Sequence, residues 1–558
     1  MNKKHNLLIF ITVIAILFLG AYFRFYNLDW DQGNHLHPDE RFLTMVGDKI
    51  KWPQDIREYF NTGNSPLNPY NQGYSFFVYG TLPLFLVKKI AIVLKKDSYD
   101  QFNLLGRQIS ALFDLGTLIL IGFISKKTIK KYWPWAVFIY AISVLPIQLS
   151  HFFAVDTFLN FFLTATFLSL ILFYQKDKKL FLVLSGMLLG MALACKITAA
   201  LFIPIAGLFI IMNSIKKKNL LLFFIYGVIF TIPLILSWRV FQPYAFISFL
   251  KINPQFIANL RENQKLINTP NYFFPPAIQW FKTIPILFPI RNIILWGLGL
   301  PLGIIAFAAI IFFPLGQGKK QPPDFLLRIN WLWIIWLIII QGSQYNKTIR
   351  YFLVIYPSLA IITGGFIGFL LKKIKNKKIK LSTAIFVVTI FSIWPLSFLK
   401  IYLHPHSRIQ ASEWIYNHIP PGSTLSCEHW DDCLPLNLKN KNTLSYNYKI
   451  ETLYLFDIDS EEKWQKIDQH LEQVDYLILS SNRLWGSIPK IPEIYPQTAK
   501  FYQDLLNGQL NFQKVAEITS YPCFPPIGKS LFCIPDQSAD EAFTVYDHPQ
   551  VIIFRKAQ

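Results

Sequence analysis

Two adjacent carboxylates follow the first apolar stretch of the sequence, in the motif His37-Pro38-Asp39-Glu40. Such a pair supplies one carboxylate as a general base and a second that orients it or binds metal. The same residues would also begin a helix, because proline suits the first helical position and acids suit the helix dipole. Both interpretations hold together, so Asp39 and Glu40 are catalytic candidates at a predicted helix start.

Other isolated charges lie at the ends of apolar segments. Asp156 follows His151 and begins such a segment, where its alternative role is that of an N-cap. Lys196 lies between two segments without a polar loop, and its alternative role is that of a snorkelling lysine. Arg107 and Arg350 begin segments in the same way. Charges at a membrane edge are costly and therefore functional candidates, and together these cations would form a phosphate cradle.

The composition determines the class of protein that positions these residues. Of 558 residues, 53% are hydrophobic and 16% are charged, against about 25% charged in soluble proteins. This excludes a soluble multidomain enzyme, a disordered chain and a coiled coil. The net charge of +21 comes from lysine runs between apolar stretches, which favours membrane orientation over nucleic-acid binding. The sequence therefore predicts an integral membrane protein with membrane lipids around it.

Eleven segments have the length and apolar character of membrane spans. They are residues 6–23, 103–124, 134–150, 157–174, 180–195, 197–213, 219–237, 293–313, 329–342, 351–371 and 381–400. If each crosses once from a cytoplasmic N-terminus, the lysine runs face the cytoplasm and the candidate site residues face outward. The basic groups then on the cytoplasmic side are Lys3/Lys4, Lys126–Lys131, Lys176–Lys179, Lys216–Lys218, Lys319/Lys320/Arg328 and Lys372–Lys380.

Residues 75–94 are apolar but would invert this topology if they crossed the membrane. Pro83 and the central Lys88-Lys89 pair also argue against a span. We therefore predict an interfacial helix on the outer leaflet.

The chain divides into a membrane domain, residues 1–403, and an extracytoplasmic domain, residues 404–558. Outer loops at 24–102 and 238–292 interrupt the membrane domain. In the tail, helices are predicted at 407–419 and 459–474, and strands at 475–481, 543–546 and 551–554, which indicates a small α/β domain.

Four of the five cysteines lie in this outer domain, where disulfides are favoured. Cys427–Cys433 and Cys523–Cys533 are the preferred pairs, although the other pairings and free thiols stay open.

The ordered set of motifs resembles the C-type polytopic glycosyltransferases, in particular the protein O-mannosyltransferase-like family, which is related to the lipid A aminoarabinose transferases. The resemblance covers most of residues 1–400. Its motifs are Phe23–Asp29, His37–Glu40, Gly106–Asp114, His151–Thr157, Lys196, Pro275–Trp280, Gly297–Gly303 and Arg350–Pro357.

The resemblance implies a sugar transfer from a polyprenyl-phosphate carrier at the outer face of the cytoplasmic or plasma membrane. It implies Asp39 as the catalytic base with Glu40 supporting it, and Asp156 as the second acid of the site. It also implies that Arg107, Lys196 and Arg350 bind the lipid phosphate, while His37 and His151 are additional candidates. The β-trefoil insert of eukaryotic members has no counterpart here, so their acceptor rules do not transfer.

The expected fold is thus an α-helical polytopic membrane protein with the C-type glycosyltransferase fold and a small extracytoplasmic α/β domain. The expected partners are a polyprenyl-phosphate-linked sugar and a protein, lipid or glycan acceptor. No cofactor is predicted, and the sequence leaves open whether a divalent metal assists. The alternatives are a transporter or flippase for lipid-linked saccharides, against which the one-sided charges and the outer domain argue, and a structural or binding protein.

Overall fold

A computed structural model describes residues 3–270, 274–312, 325–439 and 441–557 of the chain. Lys319 and Lys320 of the predicted cytoplasmic loop lie outside the described residues, as do the side chains of Lys3 and Lys4.

The described part of the first 403 residues is mainly helical. They are α1 (Lys3–Phe25), α2 (Pro38–Lys49), α3 (Ile56–Phe60), α4 (Thr81–Leu94), α5 (Tyr99–Thr128), α6 (Trp133–Ile142), α7 (Val144–Ser150), α8 (Asp156–Lys176), α9 (Lys179–Leu193), α10 (Ile203–Lys216), α11 (Leu221–Phe241), α12 (Pro254–Asn268), α13 (Pro275–Ile278), α14 (Leu287–Asn292), α15 (Leu300–Phe312), α16 (Phe325–Gly342), α17 (Tyr356–Lys373) and α18 (Lys377–Leu403). Short 3₁₀ helices include Ile197–Phe202 before α10 and Ile349–Ile355 before α17.

Each of the eleven predicted spans falls on apolar helix. Within the described residues, eight helices are long and apolar enough to cross a membrane, and α6 with α7, bent by 54°, makes a ninth if the pair counts as one span. The remaining two predicted spans fall on the shorter apolar helices α9 and α15. The chain is therefore an integral membrane protein.

The predicted span 293–313 is interrupted by a break. Residues Ile293–Gly297 form a π-helical turn, and Gly299 has a φ of +81° before α15 begins at Leu300. A Cβ at Gly299 would lie 2.5 Å from the Trp394 ring, so both the backbone angle and the close approach require glycine.

Helix α4 corresponds to the predicted interfacial segment 75–94. Its 14 residues span about 21 Å, which is short of the hydrocarbon thickness. The amides of Gly80 and Leu82 donate to the carbonyls of Cys195 and Ala194 (3.0 and 3.1 Å), so the start of α4 supports the turn that carries Lys196. Its position in the membrane plane stays a prediction.

The C-terminal region is an α/β domain, as the sequence predicted. It contains α19 (Ser407–His418), α20 (Glu461–Gln473), α21 (Pro496–Leu506), α22 (Glu541–Thr544), β1 (Thr424–Glu428), β2 (Lys449–Leu453), β3 (Tyr476–Leu479), β4 (Phe512–Ile518), β5 (Cys523–Phe524), β6 (Phe532–Cys533) and β7 (Val551–Lys556). Five strands form one sheet in the order β2-β1-β3-β7-β4, with β1 parallel to β2 and β3, and β7 antiparallel to β3 and β4.

The predicted strand at 543–546 is wrong. Asp540 caps a short helix here, and the ring of Phe543 is buried beside Trp296 and Phe398 of the membrane helices. The apolar character of this segment therefore comes from the burial of Phe543 against the membrane helices and not from a strand. The division of the chain at residue 403, where α18 ends, accordingly stays a proposal.

Both preferred disulfides are present, Cys427–Cys433 and Cys523–Cys533. Cys195 is a buried free thiol.

Candidate active site

The acidic motif forms the first turn of α2. His37 is the N-cap, and its Nδ1 accepts a hydrogen bond from the Glu40 amide at 3.4 Å. Pro38 occupies the first turn, where its missing N–H costs nothing. The two acids that follow point to different partners, and this separates their roles.

Asp39 belongs to a network of two carboxylates and two cations. Its Oδ2 lies 2.5 Å from Nη2 of Arg350, and the same Nη2 lies 3.3 Å from Oδ2 of Asp156. The other oxygen of Asp156 accepts a hydrogen bond from Lys196 Nζ at 3.1 Å. The ammonium of Lys196 also lies 4.1 Å from the ring centre of Tyr351, a cation–π contact. The structure therefore brings together four of the predicted site residues.

Three helix ends position this network. Asp156 is the first residue of α8, and the N-cap is Val155, so Asp156 is not the cap that the sequence offered as its alternative role. Its carboxylate still lies at the positive end of the helix dipole. Lys196 precedes the 3₁₀ helix 197–202, and Arg350 lies in the first turn of the 3₁₀ helix 349–355.

A small cavity of about 20 Å³ adjoins the charged network. Charged and polar side chains line it together with leucine, valine and tryptophan side chains. Its lining residues are Asp156, Leu159, Leu163, Lys196, Thr198, Leu201, Trp333, Leu337, Gln341, Arg350, Tyr351, Leu353 and Val354. Cations beside apolar side chains suit the anionic head of an amphiphile.

The electrostatics of the network keep Asp39 ionised. Burial alone would raise the pKa of Asp39, but Arg350 and a hydrogen bond from Tyr79 hold that pKa well below its usual range. Burial raises the pKa of Tyr79 well above its usual value, so its phenol is a donor toward Asp39. Asp39 is 22% exposed and Arg350 12%, so both are within reach of a ligand.

Arg107 and Glu40 form a separate, closed cluster. The five N–H groups of Arg107 donate to both oxygens of Glu40, both oxygens of Asp31 and the Leu28 carbonyl, at 2.7 to 3.0 Å. Glu40 also accepts the amide of Phe153. Because every donor of this buried guanidinium is used, the geometry disagrees with the prediction that Arg107 binds the lipid phosphate. Glu40 ties α2 to α5 and does not contact Asp156.

The two histidine candidates are buried outside the charged network. His151 lies between the carbonyls of Ile147 and Tyr26 and stacks on Tyr402 at 3.9 Å. His37 caps α2 and packs against Phe152 and Tyr546. Both shape the backbone around the site.

The part of the chain that the structure describes contains no set of side chains arranged to bind a divalent metal. No group of three or more His, Cys, Asp or Glu side chains there is arranged to hold a metal ion. Asp39 and Asp156 face two fixed cations, with which a dication would have to compete.

Sequence reasoning missed several residues around the network. Tyr79 is a donor to Asp39, and Asp540 of the C-terminal domain contacts the backbone beside Arg350. Tyr351 could have been found as the neighbour of Arg350. The other two lie far away in sequence, and no local pattern marks them.

Comparison with known proteins supports the fold and the class. Residues 104–238 match the family described as Dolichyl-phosphate-mannose-protein mannosyltransferase, a segment that carries Asp156 and Lys196. No curated protein sequence matches.

Three solved structures illustrate the similarity. The apo oligosaccharyltransferase of Archaeoglobus fulgidus is 11% identical, with a TM-score of 0.50, and the match covers 91% of this chain and 73% of that one. ArnT from Cupriavidus metallidurans bound to undecaprenyl phosphate is 12% identical, with a TM-score of 0.43 and coverage of 99% and 98%. The mycobacterial arabinofuranosyltransferase AftD is 11% identical, with a TM-score of 0.39 and coverage of 100% and 40%.

The chain thus has the C-type glycosyltransferase fold, and the predicted resemblance is confirmed. Together with the matched mannosyltransferase segment, this identifies a membrane glycosyltransferase.

Proposed function

We propose that the protein transfers a sugar from a polyprenyl-phosphate carrier to an acceptor at the outer face of the membrane. The observation that carries the proposal is the network of Asp39, Asp156, Lys196 and Arg350 beside a small cavity that apolar side chains also line. The matched family is named for a dolichyl-phosphate sugar donor, which has the same combination of anionic head and apolar tail.

In this proposal Lys196 and Arg350 hold the donor phosphate. Their positive charge offsets the charge that develops on the phosphate as the bond from its oxygen to the anomeric carbon breaks. The cavity, at about 20 Å³, is too small for the polyprenyl tail, which would leave the site past the apolar side chains around it. Asp156 holds the two cations at the spacing that the phosphate meets.

Asp39 is the proposed base. It takes the proton of the acceptor while the acceptor attacks the anomeric carbon opposite the phosphate, so that one displacement inverts the anomeric centre. In the free protein Arg350 lowers the basicity of Asp39. A bound phosphate would share that guanidinium and so raise the pKa of Asp39, which makes the base stronger when the donor is in place.

The test against the flippase alternative is product release. Purified protein in detergent, mixed with polyprenyl-phosphate-linked sugars and envelope extract, should release free polyprenyl phosphate. Asp39→Asn should release almost none, whereas Asp48→Asn, which changes an exposed acid on the same helix, should match the parent. A flippase would leave the lipid-linked sugar intact, and that result would contradict the proposal.

The proposal also places the site and the C-terminal domain outside the cytoplasm. Exposed positions Arg57 and Asn376 test this when each is replaced by cysteine in intact cells. The thiol reagent should hardly label the parent protein, because Cys195 is buried and the other cysteines are paired. An impermeant thiol reagent should label R57C and spare N376C, and the reverse pattern would overturn the topology.

A further inference from the structure

The 3₁₀ helix 349–355, which carries Arg350, is capped at its start by a residue that is far away in the sequence. Its own N-cap residue, Thr348, makes no side-chain capping bond. The Ile349 amide donates instead to Oδ2 of Asp540 at 3.0 Å, and the Thr348 hydroxyl donates to Oδ1 of the same residue at 3.2 Å. A carboxylate 191 residues away thus satisfies the first free amide of this helix.

Asp540 is the N-cap of α22 and is itself held by several hydrogen bonds. Its amide donates to Oδ1 of Asn292 on α14 at 2.8 Å, and its Oδ1 accepts the Ala542 amide at 3.0 Å. The next residue, Glu541, donates its amide to Gln279 at 2.8 Å and pairs with Arg483 at 2.7 Å. The side chain of Asp540 is fully buried, so it contacts the protein alone.

The contact bears directly on the guanidinium of Arg350. Arg350 follows Ile349, and within the described residues its buried Nε has no hydrogen-bond partner. The direction of this side chain therefore depends on where the backbone of residues 348–350 is fixed. Burial raises the pKa of Asp540 to about 6, which leaves it ionised at pH 7 and able to accept all three bonds.

We propose that Asp540 is a positioning residue that acts through Arg350, so that the C-terminal domain completes the phosphate site. This rests on the proposed function, because it takes Arg350 as a ligand of the donor phosphate. The C-terminal domain would then set donor affinity, in addition to any contact that it makes with the acceptor.

The test is a double-mutant cycle on the dissociation constant for polyprenyl phosphate, with purified full-length protein. Asp540→Ala removes the cap, and Asp540→Asn keeps the shape but loses the charge and one acceptor. On the parent background, Asp540→Ala should weaken binding about tenfold and Asp540→Asn less. On the Arg350→Ala background, neither should weaken binding further. Asp540→Glu should recover part of the affinity.

The control is Ser530→Ala, which removes a 2.7 Å bond between the C-terminal domain and Lys400 of α18 away from the site. It should leave the affinity unchanged. If Asp540→Ala does not fold, Asp540→Asn tests the positioning role instead. The amide hydrogen exchange of residues 348–352 should rise in Asp540→Asn and stay unchanged in Ser530→Ala.

The outcomes separate the two proposals. If Arg350→Ala weakens binding and the Asp540 variants do not, or if they weaken it equally on both backgrounds, only the positioning role is overturned. If Arg350→Ala leaves binding unchanged, the proposed function fails and the positioning role fails with it.

Discussion

Two arginines near the ends of membrane helices have opposite surroundings. Arg107 is buried, and its five N–H groups all donate to protein oxygens. Arg350 makes one close bond, to Asp39, keeps an unpaired buried Nε within the described residues, and borders a small cavity.

The difference distinguishes a structural cation from a binding one. A guanidinium whose donors are all used has nothing left for a ligand, whatever its charge. A guanidinium with free donors beside a cavity is costly for folding, and a ligand compensates that cost. The share of guanidinium donors that already bond to the protein thus distinguishes the two roles, which the position in the sequence does not.

The largest expected effect is on stability. Arg107→Ala would leave Asp31 and Glu40 buried without their cation, a change that costs about 3–5 kcal/mol in comparable buried pairs. We expect little folded protein and a strongly lowered Tm, measured by thermal unfolding in detergent. Arg350→Ala should lower the Tm much less, because Asp39 is partly exposed and Asp156 keeps Lys196. An equal Tm for both variants would contradict the distinction between a structural and a binding arginine.

The second prediction concerns chemistry. Asp39→Asn keeps the shape of the side chain and removes the proton acceptor, so single-turnover transfer should fall by at least ~10²-fold. Donor binding should persist, because the cations that hold the phosphate are unchanged. Rapid-quench measurement with saturating donor separates the two quantities. Transfer at the parent rate would mean that Asp39 only begins a helix, and Asp156 would become the candidate base.

The smallest expected effect concerns a carboxyl outside both clusters. Burial raises the pKa of Glu428 to about 8, and its Oε1 accepts the Tyr502 hydroxyl at 2.5 Å. The folded state therefore binds a proton that the unfolded state releases above about pH 4.5, so stability should fall as pH rises from 4.5 to 8.

Glu428→Gln should remove this dependence, because the amide is neutral at every pH and still accepts from Tyr502. We expect a Tm a few degrees above the parent at pH 7.5 and little difference near pH 4.5. The same dependence of Tm on pH in the parent and in Glu428→Gln would show that Glu428 is ionised in the fold.

The sequence predicted the membrane helices well because apolar length is a local property. It also predicted the acidic start of α2 and both disulfides, whose partners are close in the chain. It failed at residues 543–546, where burial against Trp296 mimics the alternation of a strand.

The roles of the cations could not be derived from sequence. Arg107 and Arg350 have the same local setting, and their roles differ only because Asp31 folds against one and a cavity opens beside the other. The contact between Asp540 and the Arg350 helix joins residues 191 positions apart, and no local pattern marks it.

The most direct test of the central claim is the binding of polyprenyl phosphate to purified protein. The comparison is between the parent, Arg350→Ala, Lys196→Ala and, as a control, Arg57→Ala, which removes an exposed cation of α3. If the charged network around Arg350 and Lys196 holds the lipid phosphate, both site variants should bind at least about tenfold more weakly, while the control binds like the parent. Unchanged affinity in both site variants would contradict the account.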